Sequence, residues 1–465
     1  MSDTQRLNHN IPAEVRELCA RLREGGFRSW IVGGCVRDEL LSQLDPLEGA
    51  SAATFRGDWD IATTARPEQV QKLFRRVIPT GIQHGTVTVM MKHAGYEVTT
   101  LRGETEYSDG RRPDSVYFVD DIKDDLARRD FTINAIAYDP LEDHLIDPFD
   151  GIRDLRARVL RAVGEPAQRF AEDGLRVLRA ARFVATLEVT LEPKTASAIV
   201  PSLASYRKVS AERVRDEWLK TTKAKQPSRA FEVMKDHGLL AISAPELLES
   251  VGCEQNRYHS FDVWGHAMRC LDNCPAHPVL RIAGLLHDVG KPRTRAFSEK
   301  TEDYTFYEHE RIGAEMAGPL LERLRFSNDE RARIVALVRH HLICYDGTWS
   351  DAAVRRWVRR VSPELVDDLY ALSEADVQAK GKDATADLEQ LTQLRAHVAK
   401  VIAQGAAFSV KDLAIDGGSL IKELGLKPGP DIGRILRALL EEVVEDPSLN
   451  HRDTLLARAR ELLES

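Results

Sequence analysis

Two aspartates one residue apart follow, after a gap, a pair of adjacent glycines. The glycines lie in Trp30-Ile31-Val32-Gly33-Gly34-Cys35-Val36-Arg37-Asp38, and the aspartates are Asp58 and Asp60 in Gly57-Asp58-Trp59-Asp60-Ile61-Ala62-Thr63. On a strand, residues i and i+2 point to one face, so both carboxylates can grip one Mg²⁺ or share a pair of them at a phosphoryl centre. An apolar strand that runs into Gly-Gly and then a helix lets backbone N–H groups approach a triphosphate, since glycine has no Cβ in the way. Arg37 falls one turn into that helix, where a guanidinium can meet phosphate through two bonds. Glu97, on a neighbouring alternating segment, is the best candidate for a third catalytic carboxylate. The chemistry these types support is nucleotidyl transfer.

Two further clusters carry charge in a pattern. In Asp125-Leu126-Ala127-Arg128-Arg129-Asp130-Phe131-Thr132-Ile133-Asn134, one reading is a charged helix start capped by Asp130 or Thr132. The other places Arg129 and Asp130 at the sugar and phosphates of a nucleotide, with Asn134 holding the segment. In Glu172-Asp173-Gly174-Leu175-Arg176-Val177-Leu178-Arg179-Ala180-Ala181-Arg182, Leu175, Leu178 and Ala181 recur at helical spacing and are expected to face the core. Asp173 and Arg176 are i, i+3 neighbours on one face: either an intrahelical ion pair or a base-reading pair. A carboxylate accepts from an exocyclic amine and a guanidinium donates to a ring acceptor. Cytosine and adenine offer that combination, whereas uracil and guanine do not.

The elements that must position these groups follow from periodicity. Residues 12–25 predict an amphipathic helix with Val15, Leu18, Cys19 and Leu22 on its stripe, and Ser29 to Val32 a strand. The segments 84–90 and 96–101 alternate, with Lys92-His93-Ala94-Gly95 as a hairpin turn. Beyond about residue 165 the pattern turns helical, with breaks near Ala244-Pro245 and Gly405-Ala406-Ala407. No repeat or low-complexity tract is evident.

In this order and spacing the three clusters resemble class II tRNA nucleotidyltransferases, the CCA-adding enzymes and their bacterial poly(A) polymerase relatives. The resemblance runs through about residues 28–190. It implies an α+β fold: a polymerase-β-like nucleotidyltransferase head, a small mixed or antiparallel sheet with helices, followed by an all-α neck, body and tail. It assigns nucleotide binding to Gly34, Arg37, Arg129, Asp130, Asp173, Arg176, Arg179 and Arg182, with Mg²⁺ at Asp58 and Asp60. The implied reaction is template-independent addition of C, C and A to the 3′ end of tRNA from CTP and ATP. The link from Ser42 to Arg56 is longer than usual for the family. Gln83-His84-Gly85-Thr86-Val87 resembles the tRNA nucleotidyltransferase form, and the intact loop Gly103 to Pro113 favours a full CCA-adder or an A-adder over a CC-adder. Partial addition of A or CC, or a poly(A) polymerase, are the alternatives.

Seven of the fourteen histidines fall between His259 and His341. Leu285-Leu286-His287-Asp288-Val289-Gly290-Lys291-Pro292 resembles the HD phosphohydrolase motif, which implies His266, His287, Asp288 and Asp376 as ligands of a divalent metal. His309 and the His340-His341 pair are candidates for a second metal or a phosphate pocket. Imidazole with carboxylate suits Ni²⁺, Mn²⁺ or Zn²⁺. The resemblance implies cyclic phosphodiesterase or phosphatase activity, and an HD phosphohydrolase with a nucleotide-sensing head is the rival from another class.

The resulting division is a head over 1–150, a neck over 151–250 that selects the nucleotide and meets the acceptor stem, an HD domain over 251–385 and an RNA-binding tail over 386–465. In the neck, Arg153, Arg156, Arg158, Arg161, Arg207 and Lys208 are candidate RNA contacts. In the tail, Leu424 to Arg434 puts a Gly/Pro turn before a helix, either a plain junction or a phosphate contact. The 465 residues carry a formal net charge of −8, which excludes a uniformly basic nucleic-acid coat, so RNA binding requires locally concentrated basic groups. No apolar run of about 18 residues predicts a membrane span. The polar first residues lack a signal-peptide core, and the six cysteines form no C-x-x-C pair. A reducing cytoplasm, and a monomer or homodimer, are the expectations.

Overall fold

The computed structural model describes residues 7, 11–44, 59–82, 85–92, 94–104 and 116–464. Asp58, most of the 42–56 link, Gln83, His84, His93 and residues 105–115 lie outside the described residues. The chain divides into two compact units, residues 1–243 and 244–465.

The first unit is built on a seven-stranded sheet. Its strands are β1 (Ser29–Val32), β2 (Asp60–Thr63), β3 (Val77–Gly81), β4 (Thr86–Met91) and β5 (Ala94–Thr100). After a separate pair, β6 (Arg102–Glu104) with β7 (Val116–Phe118), come β8 (Ala137–Asp139) and β9 (His144–Ile146). The sheet order is β3-β4-β5-β2-β1-β8-β9. Pairing is antiparallel except between β2 and β5, so the sheet is mixed. All four residues of β1 are buried, as befits a strand with a neighbour on each edge and packing on both faces. Trp30, Val32, Ala62, Leu101, Ile122 and Leu126 form part of the core on one side. The β4–β5 turn is tighter than the sequence predicts: Met91 already pairs with Ala94, so Ala94 and Gly95 belong to the strand, and Lys92 takes a left-handed φ of 48°.

The first helix, Ala13–Glu24, buries Val15, Leu18, Cys19 and Leu22, the stripe read from periodicity. A second, Gly34–Leu44, starts directly after β1. The rest of the unit is helical apart from a short parallel pair, Val159–Leu160 with Thr190–Leu191. The helix Leu175–Thr186 packs against Ala211–Thr221 and Ser228–Asp236, burying Leu175, Leu178 and Ala181 as their spacing requires.

The second unit is helical except for the hairpin Ala296–Ser298 with Asp303–Thr305. The helices Val263–Asn273, Pro278–Leu286, Asn328–His340 and Val366–Ala379 pack on one another. Farther along, Gly417–Leu424, Pro430–Glu445 and Arg452–Glu464 share a core of Leu420, Ile435, Leu439, Val443 and Leu455. The turn before Pro430 contains Gly425 at φ 66°, the left-handed helix end that glycine permits. No described helix is long and apolar enough to cross a membrane.

Candidate functional site

In the first unit, one cavity of about 490 Å³ gathers Gly33, Gly34, Arg37, Asp60, Arg129, Asp130, Asp173, Arg176, Arg179 and Arg182. These come from separate stretches of sequence, and the sheet explains how they meet. Asp60 opens β2 opposite Val32, the last residue of β1, so its carboxylate stands beside the glycine turn. A Cβ on Gly33 would lie 3.6 Å from Asp60 Oδ2 and 3.0 Å from Arg129 Nη1. Gly33 also has φ +83°, which a side chain would strain. The parallel register, Ile61 with Val98, brings Glu97 to the level of Asp60 on β5. Glu97 itself is exposed and is not among the residues that line the cavity.

Neither Asp130 nor Thr132 caps a helix, which corrects one reading of that cluster. Asp121 caps the helix Ile122–Ala127 by accepting from Lys123 N–H. Asp130 is instead buried and accepts from Phe131 N–H at 2.9 Å, from Asn134 Nδ2 at 3.0 Å and from Arg179 Nε at 2.7 Å. Burial alone would raise its carboxyl; the Arg179 charge and the Asn134 bond outweigh that and hold it at about 2. Asn134 Oδ1 accepts from Arg37 Nη1 at 2.7 Å. Arg37, Asn134, Asp130 and Arg179 thus form one chain of charge-assisted bonds.

The Asp173–Arg176 ion pair does not form. Asp173 is not helical: it has an extended backbone at the end of Pro166–Glu172, and the next helix begins only at Leu175. Its oxygens accept from Arg213 Nη1 and Nη2 at 3.2 and 2.7 Å, and Oδ1 also accepts from Leu175 N–H at 2.9 Å. Arg176 pairs with Glu172 and donates to the carbonyls of Arg169 and Arg128 at 2.9 and 3.0 Å. Each member is therefore held by a different partner, and both line the same cavity.

Two residues that the sequence did not single out shape this site. Arg213, 40 positions beyond Asp173, belongs to no local pattern. Phe183 lies in the same helix as Arg179 and Arg182, and its ring is 5.3 Å from Arg37, 5.3 Å from Arg179 and 4.0 Å from Arg182. Three guanidinium groups are thus spaced around one aromatic ring. Arg182 also donates to Glu217 at 2.6 Å. Seven arginines against three aspartates line the cavity. That is a local positive excess in a chain of net charge −8, suited to a triphosphate. Of the neck cations, Arg161 is already paired with Asp154 and Glu192.

The second unit holds another cluster, within itself. His266, His287 and Asp376 bring one ligand atom each to a common point, and Asp288, His309 and His341 do the same. Asp288 joins the two sets: Oδ2 is 3.3 and 3.2 Å from Nε2 of His266 and His287, and Oδ1 is 3.3 and 3.7 Å from Nε2 of His309 and His341. Asp376 Oδ1 is 2.9 Å from His266 Nε2. His287, His309 and His341 each set Nδ1 at 2.7 Å from a backbone carbonyl, of Gly284, Phe306 and Val338. Those bonds place the proton on Nδ1 and turn bare Nε2 lone pairs toward carboxylate oxygens. Acceptors facing acceptors in a buried site call for a cation. Burial pushes His287 down, yet Asp288 and Asp376 lift it to about 10: the two carboxylates draw a cation, a second proton or a metal ion, to its Nε2. Burial, with His287 and His309 beside it, pushes His341 down to about 3 and keeps it in the neutral, ligating form. The donor set fits a pair of borderline divalent ions. His340 is half-buried and in neither set.

Three family descriptions match the chain: "Poly A polymerase head domain" over residues 29–161, "Probable RNA and SrmB-binding site of polymerase A" over 188–250, and "tRNA nucleotidyltransferase domain 2 putative" over 306–459. A CCA-adding enzyme of Limosilactobacillus fermentum is 34% identical over 98% of this chain and 99% of its own. Another, of Lactobacillus delbrueckii subsp. bulgaricus, is 34% identical over 91% of each. The crystal structure of the Bacillus stearothermophilus CCA-adding enzyme in complex with CTP superposes with a TM-score of 0.69 at 26% identity, covering 100% of this chain and 98% of that one. With identity sustained along almost its whole length and the expected mixed-sheet head in place, the chain belongs to the CCA-adding enzyme family of tRNA nucleotidyltransferases.

Proposed function

We propose that this chain adds C, C and A to the 3′ end of tRNA, from CTP and ATP, without a nucleic-acid template. The observation that carries the proposal is the single cavity in which Asp60 and the glycine turn face Asp173 and Arg176. The primer 3′ oxygen forms a bond to the α-phosphorus, the α–β bridge breaks and pyrophosphate leaves. The N–H groups of the turn, with Arg37 and Arg129, hold the phosphates, and Asp130 with Arg179 positions the sugar. Asp173 and Arg176, each fixed by its own partner, present an acceptor and a donor to the base. Asp60, with Asp58, would provide hard oxygen ligands for Mg²⁺, which when bound neutralises the triphosphate and eases deprotonation of the 3′-hydroxyl, with Glu97, level with Asp60 on β5 but outside the cavity lining, as the third carboxylate. Purified protein offered labelled CTP, ATP, UTP and GTP tests this on tRNA lacking CCA, on tRNA lacking A and on unrelated RNA. C and then A are expected on the first substrate. A alone on every RNA indicates a poly(A) polymerase, and A only after CC indicates an A-adder.

A second reading belongs to the other unit: His266, His287, Asp376, Asp288, His309 and His341 hold divalent Ni, Mn or Zn and hydrolyse phosphate esters. The three bare Nε2 groups aimed at carboxylates support it. Metal analysis of the native protein beside Asp288→Asn tests it, with loss of bound metal expected in the variant. We assign the head to 1–150, the neck to 151–250, the HD domain to 251–385 and the tail to 386–465, with RNA contacts in the neck and tail.

A further inference from the structure

The metal-ligand cluster of the second unit opens into a cavity of about 400 Å³ with Asp288, His309, His341 and Asp376 on its floor. Two lysines, Lys291 and Lys380, stand on its walls. Lys291 is buried, with Nζ 2.6 Å from Asp288 Oδ2 and 2.7 Å from Gln255 Oε1. Lys380 Nζ reaches Asp387 at 2.9 Å. Both ammonium groups, each already paired with a carboxylate, stand beside the floor as donors that a phosphate group can share.

The rim differs in character. Of the four aromatic residues that line the cavity, Tyr304 is covered by the Arg295 guanidinium at 3.7 Å, and Phe306 lies 5.6 Å from Lys291 Nζ. Tyr258 and Tyr307 face solvent instead, 66% and 80% exposed, yet both line the cavity. Each is tied to the cluster through its chain neighbours. Tyr258 precedes His259, whose ring meets His266 edge-on at 5.0 Å. Tyr307 lies two residues before the ligand His309, across Glu308 with its left-handed φ of 61°. A pair of large rings held at the mouth of a phosphate-sized charged pocket matches a ligand with an anionic end and a flat aromatic end.

We propose that Tyr258 and Tyr307 determine the specificity of this second site, clasping the base of a nucleoside phosphate ester whose phosphate lies on the floor. The proposal rests on the phosphohydrolase reading above. Stacking needs only a π face, so the clasp accepts every base. On the proposed function the base-reading pair of the first unit, by contrast, reads hydrogen-bonding edges and excludes guanine, so guanosine esters report on the second site.

The test uses the full chain loaded with Mn²⁺. Phosphate release is measured from guanosine 2′-, 3′- and 5′-monophosphate and from ribose 5-phosphate, which lacks the base. A short RNA ending in a 3′-phosphate, run beside them, separates a free nucleotide from a strand end as the source of the ester; preference for either over ribose phosphate supports the clasp. Equilibrium dialysis of the same ligands gives binding apart from turnover. A guanosine ester is expected to show a KM, and a dissociation constant, below those of ribose phosphate. Tyr258→Ala and Tyr307→Ala are each expected to raise the guanosine values about tenfold and to pull the guanosine-to-ribose ratio toward one, with Tyr→Phe restoring it. Hydrolysis with no preference for the base, or a ratio unchanged in both alanine variants, overturns the clasp and leaves the hydrolase reading standing. Base-selective binding without any hydrolysis does the reverse. Neither hydrolysis nor base-selective binding overturns both.

Discussion

Arg213→Ala tests whether base choice depends on a fixed orientation of Asp173. The carboxylate accepts three hydrogen bonds, two of them from Arg213 at 3.2 and 2.7 Å and one from the Leu175 N–H at 2.9 Å. Removing Arg213 leaves the single backbone bond, about which the carboxylate can swing. Both partners are only partly exposed, at 25% and 18% of their side chains, so the pair exceeds a fully solvated surface bridge. A charge-assisted bond contributes about 1.5–3 kcal/mol, and a well-placed two-bond reading of a base discriminates by about 1–3 kcal/mol. If the orientation is lost, discrimination between CTP and UTP falls by about 10- to 100-fold, since each 1.4 kcal/mol is about tenfold. Arg213→Lys keeps the charge without the fork and falls between the two. The assay is single-turnover incorporation of each triphosphate into tRNA lacking CCA, with kcat/KM taken for the correct and the wrong base. Equal loss for CTP and UTP, or no loss, refutes the idea that Arg213 orients the reading group.

Gly33→Ala introduces a side chain at φ +83° and 3.0 Å from Arg129 Nη1; about 1–2 kcal/mol of strain is expected, with a larger loss of incorporation than of thermal stability, compared in the same preparation. Asp130 has a folded pKa of about 2 against an ordinary 3.8, so its stabilising contribution of about 2 kcal/mol is complete above about pH 4 and lost as pH falls toward 2. Amide exchange in the helix Leu175–Thr186 is therefore expected to be faster in Arg179→Gln than in wild type at pH 7, with the gap narrowing at pH 3. Phe183→Ala removes the ring that spaces Arg37, Arg179 and Arg182, and is expected to raise KM for CTP and ATP about tenfold while leaving the preference for C and A over U and G. Asp288→Asn is expected to lose bound metal without changing CTP or ATP incorporation, measured on one sample.

The first unit's elements were readable because their signals are local. The stripe of Ala13–Glu24, the strand at Ser29–Val32 and the buried face of Leu175, Leu178 and Ala181 each follow from the spacing of apolar residues. Of the two glycines that stood out, Gly33 is the constrained one, with φ +83° and a Cβ that would lie 3.0 Å from Arg129 Nη1. What stayed hidden depends on contacts between distant segments. Helical spacing paired Asp173 with Arg176, but Gly174 approaches the Ser205 backbone so closely that a Cβ would lie 2.3 Å from it. The chain breaks there, and Asp173 turns to Arg213 on another helix. Asp130 gave a capping pattern because nothing local reveals that Arg179, 49 residues on, meets it. In the second unit the HD string marked Asp288, but the bridging role of its two oxygens between separate histidine sets is a property of packing alone.

The claim on which the rest depends is that side chains of the protein choose the incoming base. Incorporation of all four triphosphates into tRNA lacking CCA, by wild type and by Asp173→Ala and Arg176→Ala, measures it directly. Wild type is expected to add C, C and A and to reject U and G, with both variants losing that discrimination by more than they lose total incorporation. Unchanged base preference in both variants would contradict it.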